Sequence, residues 1–312
     1  MSFIFKGRRI YLAGHTGLVG SALKRRLERE GTHLLLATHR ELDLTRTAEV
    51  EKFLDLHRPE LVINAAGRVG GIAANSKFPA EFIHTNLMIQ TNLIHGAWKF
   101  GVRQFLNFGS GCMYPKESDR PMSPEMLLTG RMEPTSQPYA LAKLAGAEMC
   151  AAYNRQHGTR YITAIPSNLY GPGDHFDTER SHVVSALIRR FHEAKKNGAK
   201  GVTLWGTGKA TREFLFVDDL IDACLVLLAL HKGDEPVNVG SGAVCSVAEL
   251  AGHISRMMKF DGKLKWNRSK PDGADQKSLD STVVRKLGWR PQTDLWTGLK
   301  QTYDWFLSKC ES

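Results

Sequence analysis

The chain has 312 residues, 42% of them apolar and 24% charged, which is ordinary for a globular protein of one large or two modest domains. It contains no apolar run near the length of about 18 residues that a membrane span requires, and its first residues lack the apolar core of a signal peptide. Five widely spaced cysteines without a Cys-x-x-Cys pair favour a reducing cytoplasm and argue against a zinc site, and no metal is expected. The dispersed net charge of +10 favours small polyanions such as nucleotides, or simple solvation, over nucleic acid.

A short buried strand at residues 9–13 leads into a glycine-rich turn, and helical periodicity follows from Ser21 to Leu27. Glycines let the backbone approach a pyrophosphate, while a helix N-terminus supplies free N–H donors and a positive dipole. The spacing is Gly-x-x-Gly-x-x-Gly, for which a plain tight turn is the alternative. The flanking strand and helix favour a dinucleotide site formed by Gly14, His15, Thr16, Gly17, Leu18, Val19 and Gly20.

The ends of the next two strands offer further cofactor contacts. The second strand is predicted at residues 33–37 and is followed by His39 and Arg40, where such folds recognise the adenosine ribose. Cations at this point favour a 2′-phosphate, and therefore NADPH over NADH, although a solvated loop is the alternative. The third strand begins at Leu61 and ends in the small residues Ala65, Ala66 and Gly67, beside which a cofactor can pass.

Strands and helices then continue to alternate, with a helix at 86–100, a strand at 104–108, a helix from Tyr139 and a strand at 161–165. This alternation predicts an α/β fold, a Rossmann-type doubly wound parallel sheet. We expect residues 1–172 to form an NADP-binding domain. Residues 173–312 are expected to form mainly a smaller, partly helical substrate domain, with segments near 206–240 returning to the sheet.

Tyr139 and Lys143 stand four residues apart on the predicted helix and therefore share one of its faces. An ammonium near a phenol is expected to lower its pKa, which suits proton exchange with a carbonyl or alcohol oxygen. Ser110 follows the fourth strand and can hydrogen-bond the same oxygen. Cys112 can reach the same pocket, although a lone cysteine is more often a small core residue.

The chain resembles the extended short-chain dehydrogenase/reductase superfamily and, within it, the GDP-L-fucose synthase family, whose members epimerise C3 and C5 of GDP-4-keto-6-deoxymannose and reduce C4. The stretches that carry the resemblance are residues 14–20 (GHTGLVG), 68–72 (RVGGI), 112–116 (CMYPK), 139–143 (YALAK), 168–172 (NLYGP), 181–183 (SHV), 189–194 (RRFHEA), 212–215 (REFL) and 270–273 (KPDG).

The resemblance implies a role for each matching residue. Ser110, Tyr139 and Lys143 would be the reductase triad, with Cys112 as the base and His182 as the acid of epimerisation. The cofactor would be NADPH, bound also by Phe108, Gly109, Ser110, Tyr139, Lys143, Pro166, Asn168, Leu169 and His182. The GDP-sugar would contact Cys112, Asn168, Arg190, Trp205, Arg212 and Lys270. The resemblance also implies a homodimer formed through the helices at 86–100 and 139–157.

Several positions depart from the family pattern near the expected sugar site. Gly111 stands where the family usually has serine, Ser185 where it has proline, and Arg180 where it has asparagine. Residues 274–276 replace a Thr-Pro-Arg sequence, with the loss of one cation. These changes leave a related GDP-keto-deoxy sugar or a GDP-keto-heptose open as the substrate.

Other functions remain as alternatives. A nucleotide-sugar 4-epimerase or dehydratase that recycles NAD, or a C4 reductase without epimerisation, would not need the pair formed by Cys112 and His182. A catalytically silent dinucleotide-sensing or RNA-associated protein would be expected to have lost Tyr139, Lys143 or Cys112.

Overall fold

The computed structural model describes residues 5–118, 120–177, 181–269 and 276–310. The strands are β1 (Arg9–Ala13), β2 (His33–Leu35), β3 (Leu61–Asn64), β4 (Gln104–Phe108), β5 (Arg160–Pro166), β6 (Asn168–Tyr170), β7 (Gly201–Trp205), β8 (Thr211–Phe216), β9 (Val237–Val239), β10 (Val244–Ser246), β11 (Lys263–Asn267) and β12 (Gln276–Lys277). The helices are α1 (Leu18–Arg29), α2 (Thr47–His57), α3 (Ile72–Lys77), α4 (Pro79–Lys99), α5 (Gln137–His157), α6 (Val183–Lys196), α7 (Val217–Leu230), α8 (Val247–Met257), α9 (Thr282–Lys286) and α10 (Leu295–Cys310).

The described residues form a parallel sheet in the order β2-β1-β3-β4-β5-β9. Its central strands are buried on both faces, as the apolar runs of β1, β3 and β4 require. One face packs against α1 and α7, and the other against α2, α4 and α5. This arrangement confirms the predicted doubly wound α/β fold. The carboxyl ends of β1, β3, β4 and β5 therefore meet at one edge, where ligands bind in such sheets.

A second apolar cluster gathers α6, α8 and α10 around β7 and β8. Strands β6, β10 and β12 pair with β8, while β11 pairs with β7. Strand β9, which follows α7, pairs instead with β5 in the large sheet. The chain thus crosses from the large sheet to the second cluster and returns to it.

Local differences from the sequence predictions have identifiable causes. Helix α1 begins at Leu18 rather than Ser21, so it contains part of the glycine turn. Helix α4 begins at Pro79 rather than near residue 86, because proline fits the first helical turn. Asp219 lies in the first turn of α7, and its carboxylate accepts from the Gln292 and Thr293 N–H groups.

Helix α8 begins with a capping box, in which Ser246 and Glu249 each accept from the other's backbone N–H. None of the helices in the described ranges is both long and apolar enough to cross a membrane.

Candidate active site

Lys143 lies on the buried face of α5, directly beside the end of β4. Its ammonium donates to the Phe108 carbonyl at 2.8 Å and lies 6.0 Å from the centre of the Tyr139 ring. Burial lowers the pKa of Lys143 to about 8, because a low-dielectric interior disfavours the charged form. The side chain therefore keeps its proton at neutral pH but holds it less firmly than an exposed lysine does.

Tyr139 lies one helical turn before Lys143 and packs edge-on against Phe82 of α4, with 6.2 Å between the ring centres. Burial raises the pKa of Tyr139, a negative charge on Cys112 adds to the rise, and a hydrogen bond with the Ser110 side chain opposes it. The predicted net lowering of the Tyr139 pKa is wrong, because burial outweighs the influences that oppose it. Tyr139 is thus a protonated phenol at neutral pH, the state that donates to a carbonyl oxygen.

Ser110 caps the short 3-10 turn that follows β4, and Cys112 lies within that turn. The Ser110 hydroxyl accepts from the Cys112 N–H at 3.3 Å, and the turn spans Gly111–Met113. Cys112 is a free, half-buried cysteine that packs against the edge of an apolar cluster. The hydroxyl of Ser110, the phenol of Tyr139 and the thiol of Cys112 are therefore held close together.

His182 is the N-cap of α6, and its side chain is exposed. The loop after β3 connects this position with the Tyr139–Lys143 face. A Cβ atom at Gly67 would lie 3.9 Å from the Lys143 ammonium, and one at Gly71 would lie 3.6 Å from the Ser181 carbonyl. The loop thus brings α6 to the same edge of the sheet as α5.

Asp174, which was not predicted from the sequence as a site residue, is buried in the turn that follows β6. Its carboxylate accepts from the His175 N–H at 2.8 Å and from the Ser185 hydroxyl at 2.8 Å. Burial raises the pKa of Asp174, and this rise is opposed by His182, Ser185 and His175. The only sequence signal for this residue is its place in the Gly-Pro-Gly-Asp turn that follows β6.

The glycine-rich turn fits a dinucleotide pyrophosphate. Gly14 has φ +78°, and a Cβ atom there would lie 2.6 Å from the Ala65 backbone. A Cβ atom on Gly20 would lie 1.9 Å from the Gly14 carbonyl oxygen. Helix α1 begins without a side-chain cap, so the N–H groups of its first turn are directed into the space that this turn encloses. The other residues of the predicted turn, His15, Thr16, Leu18 and Val19, lie in the same segment.

The chain after β2 offers cations for the cofactor's ribose. His39 and Arg40 are both exposed there. Glu41 accepts from the N–H and hydroxyl of Thr38, each at 2.8 Å, so its carboxylate is held back against the loop. Arg40 forms no ion pair within the described residues, which leaves its guanidinium available to a 2′-phosphate.

The remaining cofactor candidates lie where the parallel strands end. Ala65, Ala66 and Gly67 follow β3, and the backbone of Arg68 is bonded to the buried Asn86 side chain in both directions. Phe108 ends β4 and Gly109 follows it, tightly packed, since a Cβ atom there would lie 2.9 Å from Ile165. Pro166 ends β5, and Asn168 and Leu169 lie in β6.

The substrate candidates are only partly brought together. Arg190 is exposed on α6 and donates to the Thr203 carbonyl of β7 at 3.0 Å, two residues before the exposed Trp205. Arg212 lies in β8 and donates to the Thr211 carbonyl, while Asn168 donates to the Glu213 carbonyl. Lys270 lies outside the described residues. Within the described residues, no group of three or more His, Cys, Asp and Glu side chains could hold a metal ion.

Comparisons with known proteins agree with this geometry. Residues 10–240 match the NAD dependent epimerase/dehydratase family. GDP-L-fucose synthase 1 of Arabidopsis thaliana is 52% identical over 97% of this chain and 94% of its own length. A GDP-6-OMe-4-keto-L-xylo-heptose reductase from C. jejuni has a TM-score of 0.91 and 35% identity, covering 97% of this chain and 98% of its own.

The NADP-bound GDP-L-fucose synthetase of Naegleria fowleri has a TM-score of 0.91 and 25% identity, covering 100% of this chain and 97% of its own. This bound NADP, together with the identity to the GDP-L-fucose synthases, supports NADP(H) as the cofactor of this chain. The chain therefore belongs to the NAD dependent epimerase/dehydratase family, in the branch that contains the GDP-L-fucose synthases.

Proposed function

We propose that this protein is an NADPH-dependent epimerase/reductase that converts GDP-4-keto-6-deoxy-D-mannose to GDP-L-fucose. The observation that carries the proposal is that one sheet edge holds both a protonated phenol for reduction and a free thiol for epimerisation. Ser110 lies between the two residues: its side chain hydrogen-bonds Tyr139, and its hydroxyl accepts a hydrogen bond from the Cys112 backbone N–H. An NAD-recycling 4-epimerase has no use for such a thiol.

Epimerisation uses the acidity of the hydrogens on C3 and C5, both of which neighbour the C4 ketone. Removal of either proton leaves negative charge on the C4 oxygen, which the Ser110 hydroxyl and Tyr139 phenol stabilise as hydrogen-bond donors. Inversion requires a base on one face of the sugar and an acid on the other. We assign the base to Cys112 and the acid to His182, because thiols and imidazoles can both exchange protons near neutral pH.

Reduction then takes place at the same carbonyl. NADPH, when bound, supplies the hydride to C4. Tyr139 donates its proton to the C4 oxygen, and the raised pKa of the phenol keeps that proton in place until the oxygen becomes basic. The Lys143 ammonium, fixed by the Phe108 carbonyl, stabilises the phenolate that remains.

The direct test mixes the purified protein with NADPH and GDP-4-keto-6-deoxymannose and follows both NADPH loss and the NMR spectrum of the product. We expect stoichiometric oxidation and GDP-L-fucose. Oxidation that yields the C4-reduced sugar with unchanged C3 and C5 would show a simple reductase. Absence of oxidation, despite tight NADPH binding, would reject this substrate.

A heptose substrate is the second candidate. The solved C. jejuni structure is named as a reductase of a GDP-keto-heptose, and this chain has Gly111 beside the catalytic cysteine, with open space where a Cβ atom would lie. The same assay with a GDP-4-keto-heptose separates the two, because the preferred sugar has the larger kcat/KM.

We further propose that two copies associate through α4 and α5. Trp98 and Leu141 are exposed on these helices, at 36% and 40%, and a cavity of about 370 Å³ with apolar Pro79, Ile83 and Leu141 in its lining lies between their first turns. Light scattering tests this proposal, since Leu141→Glu should convert a dimer to a monomer.

Four free cysteines in the described residues support a cytoplasmic location.

A further inference from the structure

Glu213 of β8 is a fully buried carboxylate that has no role in the reaction described above. Its two oxygens accept from two distant backbone N–H groups, that of Gly242 at 2.5 Å and that of Leu279 at 2.8 Å. Burial raises the pKa of Glu213, and these two hydrogen bonds and the charge of Arg285 oppose the rise. A buried carboxylate is costly unless its oxygens are hydrogen-bonded, so these two contacts are what makes the charge tolerable here.

The two N–H donors belong to the segments on either side of β8. Gly242 lies two residues before β10 begins, and Leu279 lies two residues after β12 ends. Strand β10 runs antiparallel to β8 and β12 runs parallel to it, so both contacts lie at the same end of the small sheet. One side chain therefore holds both strands that flank the first half of β8.

Arg212, proposed above to contact the GDP-sugar, is the residue that these flanking strands enclose. It is paired with Cys245 of β10 and with Lys277 of β12, and its guanidinium donates to the Thr211 carbonyl at 2.7 Å. Successive residues of a strand point to opposite faces, so Arg212 and Glu213 lie on opposite sides of the small sheet. Glu213 therefore acts on Arg212 through the position of the backbone and not through an ion pair.

Strand β12 depends on contacts beyond its own pairing. It has two residues, which pair with Thr211 and Arg212 of β8. The residues that follow it are held by an isolated bridge between Leu279 and Met122 and by the hydrogen bond from the Leu279 N–H to Glu213. A hydrogen bond to a charged acceptor is about twice as strong as one between neutral groups. The carboxylate is thus a main contributor to the position of β12.

The loop between β9 and β10 passes very close to the same carboxylate. A Cβ atom at Gly240 would lie 2.3 Å from the Glu213 Oε1 atom, and Gly242 has φ +81°. The Gly240 N–H donates instead to the Ser281 hydroxyl at 2.8 Å. Position 240 therefore has no room for a side chain while the carboxylate stays where it is.

We propose that Glu213 is a positioning residue of the GDP-sugar site: by bonding Gly242 and Leu279 it fixes the two strands that flank Arg212, and thereby fixes where this guanidinium meets the diphosphate. A guanidinium that is preorganised in this way loses less freedom when it binds a phosphate. The part that concerns the diphosphate rests on the proposed function, whereas the fixing of the two strands does not.

Three variants separate this role from simple support of the fold. Glu213→Gln keeps the size of the side chain, but its amide has one acceptor oxygen and turns an NH₂ group towards the other N–H donor. Gly240→Ala keeps the charge, and its methyl group displaces the carboxylate. Ser281→Ala is the matched control, because it removes the acceptor of the Gly240 N–H and leaves the contacts of β8 intact.

Each variant is examined by amide hydrogen exchange at Gly242 and Leu279, by calorimetric titration with GDP and with NADPH, and by steady-state kinetics. We expect Glu213→Gln to exchange both amides faster and to bind GDP about tenfold more weakly, with unchanged NADPH affinity. KM for the GDP-sugar should rise by the same factor while kcat changes little. Gly240→Ala should weaken GDP binding about threefold, and Ser281→Ala should bind GDP as the parent does.

Unchanged GDP affinity in a folded Glu213→Gln protein would overturn the proposal and leave Glu213 as a support of the fold alone. An equal loss of NADPH affinity in this variant, or an equal loss of GDP affinity in Ser281→Ala, would also overturn it, because general loosening would then explain the result. If Glu213→Gln does not fold, Gly240→Ala decides by the same criteria. If the parent binds NADPH but not GDP, the proposed function fails, while faster exchange at Gly242 and Leu279 would still confirm that the carboxylate fixes the two strands.

Discussion

The reductive half of the site and the epimerising half are built differently. Tyr139 and Lys143 stand on one long helix, buried against β4, and the Lys143 ammonium is fixed by a carbonyl. Cys112 lies in a 3-10 turn, and His182 is an exposed helix cap. The first half is thus preorganised by the sheet itself, whereas the second depends on loops and on the small network around Asp174.

The largest expected effect separates the two halves. Tyr139→Phe should lower the rate of NADPH oxidation about 10³-fold, because the proton donor to the C4 oxygen is lost. Hydrogen exchange at C3 and C5 should fall only about tenfold, since Ser110 still donates to the enolate oxygen. Parallel measurement of both rates in one preparation is decisive: equal losses would mean that the halves share one proton donor.

The reverse pattern is expected for Cys112→Ala. Exchange at both carbons should fall about 10²-fold or more, because the base is gone, while NADPH affinity remains that of the parent. Cys224→Ala, a buried cysteine on α7, is the matched control and should exchange normally. Normal exchange in Cys112→Ala would assign the base to another residue.

The buried ammonium of Lys143 lowers the free energy of unfolding of the protein at neutral pH. Its pKa of about 8 means that the native state holds a buried ammonium at pH 7, which the unfolded chain does not have to bury. Lys143→Met should therefore raise the free energy of unfolding at pH 7 by about 2 kcal/mol while abolishing reduction.

The sign of the pH dependence follows from the direction of this shift. Between about pH 8 and the ordinary lysine value the unfolded chain binds more protons than the native parent, so the parent gains stability as pH rises. The advantage of Lys143→Met should accordingly shrink over that interval in denaturant titrations. A stability difference between Lys143→Met and the parent that does not vary with pH would show that it does not arise from the buried ammonium.

A smaller effect tests the substrate side. Trp205 is 58% exposed at the end of β7, so Trp205→Ala should leave stability unchanged. If the guanine stacks on this indole, KM for the GDP-sugar should rise about tenfold. Trp296→Ala removes a comparably exposed indole, at 44%, from α10 and should leave KM as it was. Equal KM values for the two variants would remove Trp205 from the substrate site.

The smallest effect concerns the epimerising turn. A Cβ atom at Gly111 would meet nothing within 4 Å, so Gly111→Ser should fold with unchanged stability. The added hydroxyl beside Cys112 should change the ratio of kcat/KM for the deoxyhexose and heptose substrates by about threefold. A loss of stability in Gly111→Ser would contradict the open space around the Gly111 Cα atom.

The sequence predicts the parts of the fold that depend on local patterns better than the parts that depend on distant segments. The bounds of β1 and β4 were predictable, because an apolar run is a local property of the chain. Strands β6 and β9 are short, and their pairing with β8 and β5 depends on distant segments, so no local pattern indicated them.

The chemistry of the site was also only partly local. The spacing of Tyr139 and Lys143 indicated a shared face, but the direction of the Tyr139 pKa depends on burial, which spacing does not reveal. Asp174 could not be found from sequence, since its hydrogen bond with Ser185 exists only after the turn and α6 have come together. Ser185 was visible as a departure from the family pattern, but this contact was not.

The central claim, that one site both inverts C3 and C5 and reduces C4, has a direct test. The protein is supplied with GDP-4-keto-6-deoxymannose and C4-deuterated NADPH in D₂O, and the product is examined by NMR. We predict GDP-L-fucose with deuterium at C3, C4 and C5. A product that carries deuterium at C4 alone, with unchanged configuration at C3 and C5, would contradict the account and leave Cys112 and His182 without the roles proposed here.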